Sequence, residues 1–453
     1  MRTLNLRKIP FISESAIPWI IWGIAGLYYF FEVIIRTLPS TMTHTLMSIF
    51  QINATSLSVL TSFCYYITYV AMQIPAGLLV DRYSVKKVLF FACLSCVFGF
   101  IIFNSTRDYD LAEFGRLVIG FASAFAYVSA LKVASVWLSR RHFGLATTII
   151  DSLGMLGAMF ADDILSHLNI VSGIQSSFHL LIAIGLFIAL LIIFVLKDTP
   201  DYKIKNKYEV SLNTNDKTNI FKKLMLIMKN PQIWMIGIVG CFFYLPSAVI
   251  GDLFGIPFLE KVYHLSKGAA PLCMSVFFAG WVICGPLLGL YSDRAGKRCK
   301  PLVLTMIAET IFFSIVIYTP LLTGHLLPEY MLYGLFFLMG AAMGTHPLTF
   351  ALAKENYSNK IAGTVVAFTN TLIMLSGLII TPWVGHLLDY SHHSIGKVGV
   401  EHYTMANYTF ALSVIPISLV ICLFIMIFVK ETGSLRDDVE KKHDQELAML
   451  NKK

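Results

Sequence analysis

The chain has 453 residues, of which 56% are hydrophobic and 14% charged, and its formal net charge is +8. Soluble globular proteins are about 45–50% apolar and about 25% charged, so this composition excludes a protein whose whole surface faces water. The lysines and arginines lie in short segments between apolar runs and form no nucleic-acid-binding motif, so the positive charge does not indicate DNA or RNA binding.

Twelve runs of the chain are long and apolar enough to cross a bilayer as helices, for which about 20 residues are needed. The first six are 17–38, 57–80, 88–104, 113–137, 143–165 and 177–196, and the second six are 233–257, 269–291, 301–319, 330–352, 362–387 and 406–429. We therefore predict an all-α membrane protein with an N-terminal six-helix bundle at 1–196, a linker at 197–232, a C-terminal six-helix bundle at 233–430 and a tail at 431–453.

The distribution of basic residues predicts the orientation of these twelve spans. If the N-terminus lies inside, the inside segments hold 28 of the 35 Lys and Arg, and the outside loops hold four. Cytoplasmic loops of membrane proteins are enriched in Lys and Arg. We therefore expect the N-terminus, the linker and the C-terminus all to be cytoplasmic.

Two copies of one short pattern occupy the inside loops that follow the second and eighth spans. The first copy carries Gly77, Asp81, Arg82 and Lys86, and the second carries Gly289, Asp293 and Arg294. Because each copy lies between the second and third spans of its own half, the pattern indicates two parallel six-helix repeats.

The repeated loop resembles the signature of the major facilitator superfamily of secondary transporters. Arg116, Gly120 and Ala124 of the fourth span resemble a second pattern of that family. The resemblance implies two bundles, related by a pseudo-two-fold axis, that expose a central site first to one face and then to the other. It also implies that the seven loop residues named above act in gating, through contacts with neighbouring helix ends.

A narrower resemblance rests on the first and eleventh spans. Glu32 and Arg36, with Tyr28 one turn before them, and the stretch 362–364 with Asn370 look like a bacterial subgroup of the superfamily. That subgroup includes phagosomal nutrient transporters of intracellular gammaproteobacteria and some siderophore carriers.

Polar side chains in the first two spans are the first candidates for a solute site. Tyr28, Glu32 and Arg36 are spaced i, i+4 and i+8 on one helical face. A charge within a span costs about 2.5–3.5 kcal/mol, so each is a functional hypothesis, with a structural Glu32–Arg36 pair as the alternative. The second span offers Tyr65, Tyr69 and Gln73, which either line a wet cavity or form hydrogen bonds between helices.

The fourth and fifth spans add further candidates. Arg116 and Tyr127 share a face of the fourth span, and Arg116 suits a carboxylate ligand because its planar fork binds one bidentately, or it pairs with Glu113. Asp151 is a candidate for proton coupling or a partner for Lys132. Asp162, near the outer end of the fifth span, is expected at the interface.

The second half contributes His346, which can carry protons, and Asn370. The sequence leaves open whether Lys132, Asp252 and Glu309 are functional or structural. Glu309 lies in a span that the family resemblance places at the periphery, which favours a structural role.

Together these features predict a monomeric multi-pass transporter of a bacterial inner membrane, without a cofactor or a metal. It would move a small polar or charged solute, either an amino acid, a short peptide or an organic anion, by proton-coupled symport. The sequence contains no P-loop and no H-E-x-x-H pattern, so neither ATP-driven transport nor a membrane metalloenzyme is indicated. An exporter of a siderophore or drug-like molecule remains the alternative.

Overall fold

The computed structural model describes residues 13–138, 140–165, 174–198, 220–357, 361–391 and 403–431, and within these ranges the secondary structure is entirely helical. The helices of the first half are α1 (Ile17–Thr37), α2 (Thr43–Phe50), α3 (Ala54–Ser58), α4 (Cys64–Arg82), α5 (Val85–Ser105), α6 (Tyr109–Trp137), α7 (Arg140–Met159) and α8 (Ile174–Phe194). The linker and second half contain α9 (Ile220–Met228), α10 (Pro231–Pro246), α11 (Gly255–Val262), α12 (Ala269–Ala295), α13 (Cys299–Thr323), α14 (Glu329–Met343), α15 (Leu348–Glu355), α16 (Ala362–Ile373), α17 (Thr381–Ser391), α18 (Met405–Leu412) and α19 (Val414–Met426).

These helices follow the predicted spans. Spans one to six correspond to α1, α3–α4, α5, α6, α7 and α8, and spans seven to twelve to α10–α11, α12, α13, α14–α15, α16–α17 and α18–α19. Eleven of them, in the described ranges, are long and apolar enough to cross a membrane. The fifth span is not among the eleven, and several of its side chains lie outside the described part of the structure.

Four spans contain a turn of π-helix, in which the backbone bonds run to the fifth residue rather than the fourth. These turns are Val59–Phe63 in span two, Phe160–Leu165 in span five, Ser247–Phe254 in span seven and Ser376–Ile380 in span eleven. Each extra residue rotates the side chains beyond it relative to a regular α-helix. The turns therefore decide which side chains of these four spans point inward.

Glycines allow matching pairs of spans to pack closely in the two halves. A Cβ atom at Gly120 in span four would overlap the backbone carbonyl of Tyr65 in span two. A Cβ atom at Gly340 in span ten would overlap the carbonyl of Phe277 in span eight. Small residues permit such approach between membrane helices, and their equivalent places agree with a repeated six-helix unit.

The predicted inner ends of the two halves are also held alike. Asp198, after span six, accepts hydrogen bonds from the Ser84 hydroxyl at 2.6 Å and the Lys86 backbone N–H at 2.9 Å. Glu431, after span twelve, accepts from the backbone N–H groups of Arg298 and Cys299 at 2.8 and 2.9 Å. In each half a carboxylate thus satisfies free N–H groups at the start of the third span, where the helix dipole favours negative charge.

Candidate functional site

A charged cluster lies between the two halves, where spans one, two and seven meet. The Arg36 Nε of span one is 3.6 Å from Asp252 Oδ2 of span seven. The Tyr66 hydroxyl of span two donates to the same Asp252 oxygen at 2.8 Å, and the Tyr65 hydroxyl donates to Glu32. Arg36, Asp252 and Glu32 are only 6%, 5% and 1% exposed. Charges of both signs are therefore buried together between the halves.

The geometry of span one explains why its three polar residues have different partners. Tyr28, Glu32 and Arg36 follow one another at four-residue intervals, which in a helix of 3.6 residues per turn rotates the third by roughly 80° from the first. The Tyr28 hydroxyl accordingly donates to the carbonyl of Ala122 in span four at 2.9 Å. Glu32 contacts span two, and Arg36 contacts span seven. Of the three residues on the predicted face, only Glu32 and Arg36 belong to the charged cluster.

Several polar atoms of the cluster have no hydrogen-bond partner among the described residues. They are Nε and Nη2 of Arg36 and Oδ1 of Asp252. An unpaired buried polar group costs free energy, about 1–3 kcal/mol and more when charged. Two donors of a guanidinium that make no hydrogen bond match the two oxygens of a carboxylate, and here Nε also lies 3.6 Å from Asp252 Oδ2. The arrangement can thus bind a carboxylate-bearing ligand at Arg36.

Tyrosine rings extend this cluster toward span eleven. The rings of Tyr65 and Tyr69 stack with centres 5.7 Å apart, and Tyr66 meets Tyr65 edge-on at 4.9 Å. Asn370 of span eleven, half-buried, approaches Tyr69 from the other half. Gln73 is buried one turn beyond Tyr69. These predicted residues of span two therefore lie together on the side that faces the second half.

Arg116 makes its hydrogen bonds to the backbone and not to the carboxylates of the cluster. Its guanidinium donates to the Ile35 carbonyl at 3.2 Å, and both Nε and Nη2 donate to the Thr61 carbonyl. It also lies over the rings of Tyr65 and Phe103, at 5.2 and 5.6 Å. Neither of the sequence-based alternatives, a carboxylate ligand or a pair with Glu113, describes these contacts, which join spans one to four.

Tyr127 and Asp151 form a separate, half-buried group on the first half. The ring of Tyr127 is 5.3 Å from that of Tyr29, and Asp151 interacts electrostatically with Tyr29, Tyr127 and Arg36. Asp151 therefore adjoins the charged cluster across Tyr29 without contacting it directly.

Two other carboxyl groups are buried deeply. Asp162, which the sequence places at the interface, is 0% exposed and accepts a hydrogen bond from Ser40 at 2.7 Å. Asp162 lies in the π-turn Phe160–Leu165 and packs against the 3₁₀ turn Leu38–Met42, which follows span one, so it is buried in the protein near the predicted outer end. Glu309 is also buried, and neither of its oxygens has a partner in the described ranges.

The gating candidates lie at the predicted inner surface. Arg82 and Arg294 are exposed, and a Cβ atom at Gly77 or Gly289 would meet no neighbour within 4 Å. Lys86 contributes its backbone N–H to Asp198. The side chains of Asp81 and Asp293 lie outside the described part of the structure.

The predicted outer face is closed by contacts between spans two and eleven. Asp389 of α17 accepts from the backbone N–H groups of Ala54 and Thr55, at 3.2 and 2.7 Å, and from the Thr55 hydroxyl. The Tyr403 hydroxyl also donates to Asp389. Burial and the Asp389 carboxylate raise the pKa of Tyr403 far above its usual value, so its hydroxyl stays a donor. A carboxylate of one half thus caps the first turn of a helix in the other.

We expect the substitution Asp389→Asn to loosen this outer closure. The amide keeps the shape but loses the negative charge at the helix start, which costs about 1–2 kcal/mol, or roughly a tenfold shift toward an outer-open state. A cysteine at Ser58, which is buried beneath Gly385 of α17, would report the opening. In a background without the native cysteines, it should react about tenfold faster with a membrane-impermeant maleimide added from the predicted outer side.

Asp110→Asn is the matched control for this measurement, because Asp110 is exposed in the first turn of α6. It should leave the labelling rate unchanged. Equal rates for Asp389→Asn and the unmodified chain would show that Asp389 does not hold the outer face closed.

Sequence reasoning left Asp252 undecided and did not identify Tyr244 or Trp281 as site residues. Asp252 lies in the π-turn Ser247–Phe254, whose register the usual helical period does not predict. Trp281 lies in the middle of span eight, and Tyr244 two residues before Pro246 in span seven. Tyrosine and tryptophan favour the membrane interface. The placement of Tyr244 and Trp281 within their spans, away from the ends, was therefore the sequence signal that could have identified them as site residues.

No group of three or more His, Cys, Asp or Glu in the described ranges is arranged to hold a metal ion.

Comparison with known proteins gives a consistent result. A family model described as Major Facilitator Superfamily matches residues 24–382. The uncharacterized MFS-type transporter YcxA of Bacillus subtilis is 25% identical over 333 residues, which cover 72% of this chain and 78% of that protein. The probable galactarate/D-glucarate transporter GudP of Escherichia coli is 22% identical over 351 residues, which cover 71% and 76%.

Among solved structures, an inward-facing, unoccupied bacterial homolog of the human lysosomal transporter Spinster is similar, with a TM-score of 0.68. The two chains are 15% identical, and the match covers 95% of this chain and 99% of the other. At this identity the likeness is one of fold.

Proposed function

The chain belongs to the major facilitator superfamily of transporters, and from that premise we propose that it is a secondary active transporter working by alternating access. Membership confirms the resemblance carried by the repeated loop, and it means that the protein is a transporter and not an enzyme. The finer proposal is that it moves a small polar or charged metabolite across a bacterial inner membrane, as a monomer.

The buried guanidinium of Arg36 carries the proposal for the substrate class. It lies between the halves with two donors free, beside Asp252 and within electrostatic range of Glu32. A substrate carboxylate would complete the hydrogen bonds of Arg36, and the two acidic groups would favour an ammonium on the same molecule. An amino acid, a short peptide or an organic anion meets this requirement, whereas a neutral sugar brings no carboxylate to the guanidinium. GudP is named as a probable transporter of the dicarboxylates galactarate and D-glucarate, and the similarity to it supports an organic anion as the substrate.

The proposed topology is twelve spans in two six-helix halves, with both ends in the cytoplasm. The basic-residue distribution, 28 inside against four outside, supports it. So do the equivalent glycine contacts of spans two and four and of spans eight and ten, and the equivalent carboxylate caps at the inner ends. The described contacts between the halves lie at the centre and the outer face, which favours an inward-facing state.

Protons are the proposed coupling ion, with Glu32 as the principal carrier. Glu32 is buried, adjoins Arg36 and accepts a hydrogen bond from Tyr65. Protonation would remove its attraction for Arg36 and so release that guanidinium toward the substrate. The protonation of Glu32 would thereby depend on whether a substrate occupies the binding site.

The variant Glu32→Gln tests the proposed coupling. In vesicles with an inward-directed gradient of one pH unit, one-to-one symport should accumulate substrate about tenfold, because that gradient stores about 1.4 kcal/mol per proton. We expect Glu32→Gln to abolish this accumulation while retaining counterflow exchange. The measurement uses radiolabelled L-amino acids, a dipeptide and D-glucarate.

Glu329→Gln, at an exposed carboxylate at the start of α14, is the control and should accumulate substrate normally. Normal accumulation by Glu32→Gln would exclude Glu32 as the carrier. If none of the labelled compounds exchanges in the unmodified chain, the proposed substrate class is wrong. Efflux without uptake would instead favour the export of a siderophore or drug-like molecule.

A further inference from the structure

Aromatic rings from the second half surround the imidazole of His346, which lies between α14 and α15. The ring centre of Tyr244 is 5.2 Å from that of His346, and the ring centre of Trp281 is 6.0 Å away. Phe243 and Phe350 lie at 6.1 and 5.8 Å. Spans seven, eight and ten therefore converge on one side chain.

Two atoms of this cluster lack a hydrogen-bond partner in the described ranges, namely Nε1 of Trp281 and Nε2 of His346. The two residues are 3% and 4% exposed, so bulk water does not satisfy these atoms. The indole Nε1 carries a hydrogen and can only donate. A residue with one unsatisfied donor therefore packs against a residue with one unsatisfied imidazole nitrogen.

The hydrogen bond on the other side of the imidazole determines what that nitrogen can do. The backbone carbonyl of Gly240 favours a hydrogen on the imidazole of His346, and because Nε2 has no partner in the described ranges, the contact favours that hydrogen on Nδ1. In a neutral imidazole with Nδ1 protonated, Nε2 is an acceptor. Trp281 and His346 thus present one donor and one acceptor on adjacent rings.

This pair adjoins the charged cluster through Tyr244. The ring of Tyr244 packs against both His346 and Trp281, at 5.2 and 6.3 Å. Its hydroxyl interacts electrostatically with Arg36 and Asp252. A single small molecule bound at Arg36 can therefore reach toward the aromatic cluster.

We infer that Trp281 and His346 form a specificity subsite for a hydroxyl or primary carboxamide group of the substrate, whose carboxylate binds Arg36. Either group accepts from Trp281 Nε1–H and donates to His346 Nε2, whereas an alkyl group leaves both atoms unpaired. A site built for a polar group discriminates strongly against the analogue that lacks it. The inference rests on the proposed transport function and narrows its substrate class.

Matched ligands that differ in these groups test the subsite. The pairs are D-glucarate with adipate, L-tyrosine with L-phenylalanine, and L-glutamine with L-norleucine, measured by calorimetry on the purified full chain. In the unmodified protein, the polar member of at least one pair should bind about tenfold more tightly than its partner. In Trp281→Phe, which keeps a ring and removes the N–H, the preference should fall to about twofold or less. His346→Leu should have the same effect.

Trp22→Phe is the matched control, because Trp22 Nε1 is also buried without a partner in the described part of the chain but lies in span one. It should keep the tenfold preference. An unchanged preference in a folded Trp281→Phe protein overturns the subsite, and so does the absence of any preference in the unmodified chain. Counterflow exchange distinguishes the failure of the two proposals. If the protein exchanges substrate but shows no preference for the polar ligands, the subsite is wrong and the transport function stands. If it prefers the polar ligands but does not exchange them, the transport function is wrong.

Discussion

Replacing Arg36 with alanine is expected to weaken the binding of a carboxylate ligand about a hundredfold and to abolish transport. Hydrogen bonds to charged groups contribute about 1.5–3 kcal/mol, and each 1.4 kcal/mol is a factor of ten in affinity. Arg36→Lys keeps the charge but loses the planar fork, so its affinity should lie between that of alanine and that of the unmodified chain. Calorimetry with the compounds of the transport assay gives both values.

The single alanine variant also leaves Asp252 buried without its cation, which destabilises a protein by about 3–5 kcal/mol. The double variant Arg36→Gln with Asp252→Asn removes both charges and should fold normally, yet fail to bind. Asp252→Asn alone should bind within a few-fold of the unmodified chain, because Arg36 remains. Normal binding by the double variant would mean that the Arg36–Asp252 pair serves outer closure and not the substrate.

The sequence predicted the spans well because their signal is strong and local. A run of about 20 apolar residues and a bias of basic residues in the loops follow directly from the cost of polar groups in lipid. The repeated loop at Gly77 and Gly289 then led to the family. None of these signals depends on how one helix packs against another.

The site was predicted less completely, and the reason lies in the helical register. Asp252 and Asp162 both lie in π-turns, where a residue inserted into the backbone pattern changes which side chain faces inward. A regular period of 3.6 residues does not predict which way such side chains face. Glu32 and Arg36 lie in a regular helix, and their place between the halves agrees with the predicted face.

Partner choice is a second limit, because sequence spacing shows faces and not contacts. Glu32 and Arg36 could pair along span one, yet Arg36 forms an ion pair with Asp252 and Glu32 accepts a hydrogen bond from Tyr65. These partners come from spans two and seven, more than 30 positions away. Only the packing of the spans brings them together.

Arg116 shows how differently two buried arginines act, and its removal is expected to destabilise the fold. The guanidinium donates to the carbonyls of Thr61 and Ile35 and lies over the rings of Tyr65 and Phe103. Arg116→Ala would leave a cavity and unsatisfied carbonyls among spans one to four, at a cost of about 3–5 kcal/mol. We expect a lower yield of monodisperse protein and a clearly lower midpoint of thermal unfolding in detergent.

Arg107→Ala provides the matched control, because Arg107 is exposed in the loop between α5 and α6 and its loss should change stability by less than about 0.5 kcal/mol. Arg116→Lys should be intermediate, since an ammonium cannot reach both carbonyls with the geometry of a guanidinium. The decisive comparison is with Arg36. The double variant at Arg36 and Asp252 should lose ligand binding and keep its stability, whereas the main effect of Arg116→Ala should be a loss of stability. If Arg116→Ala is as stable as the unmodified chain but does not bind carboxylates, Arg116 is a binding residue and not a structural one.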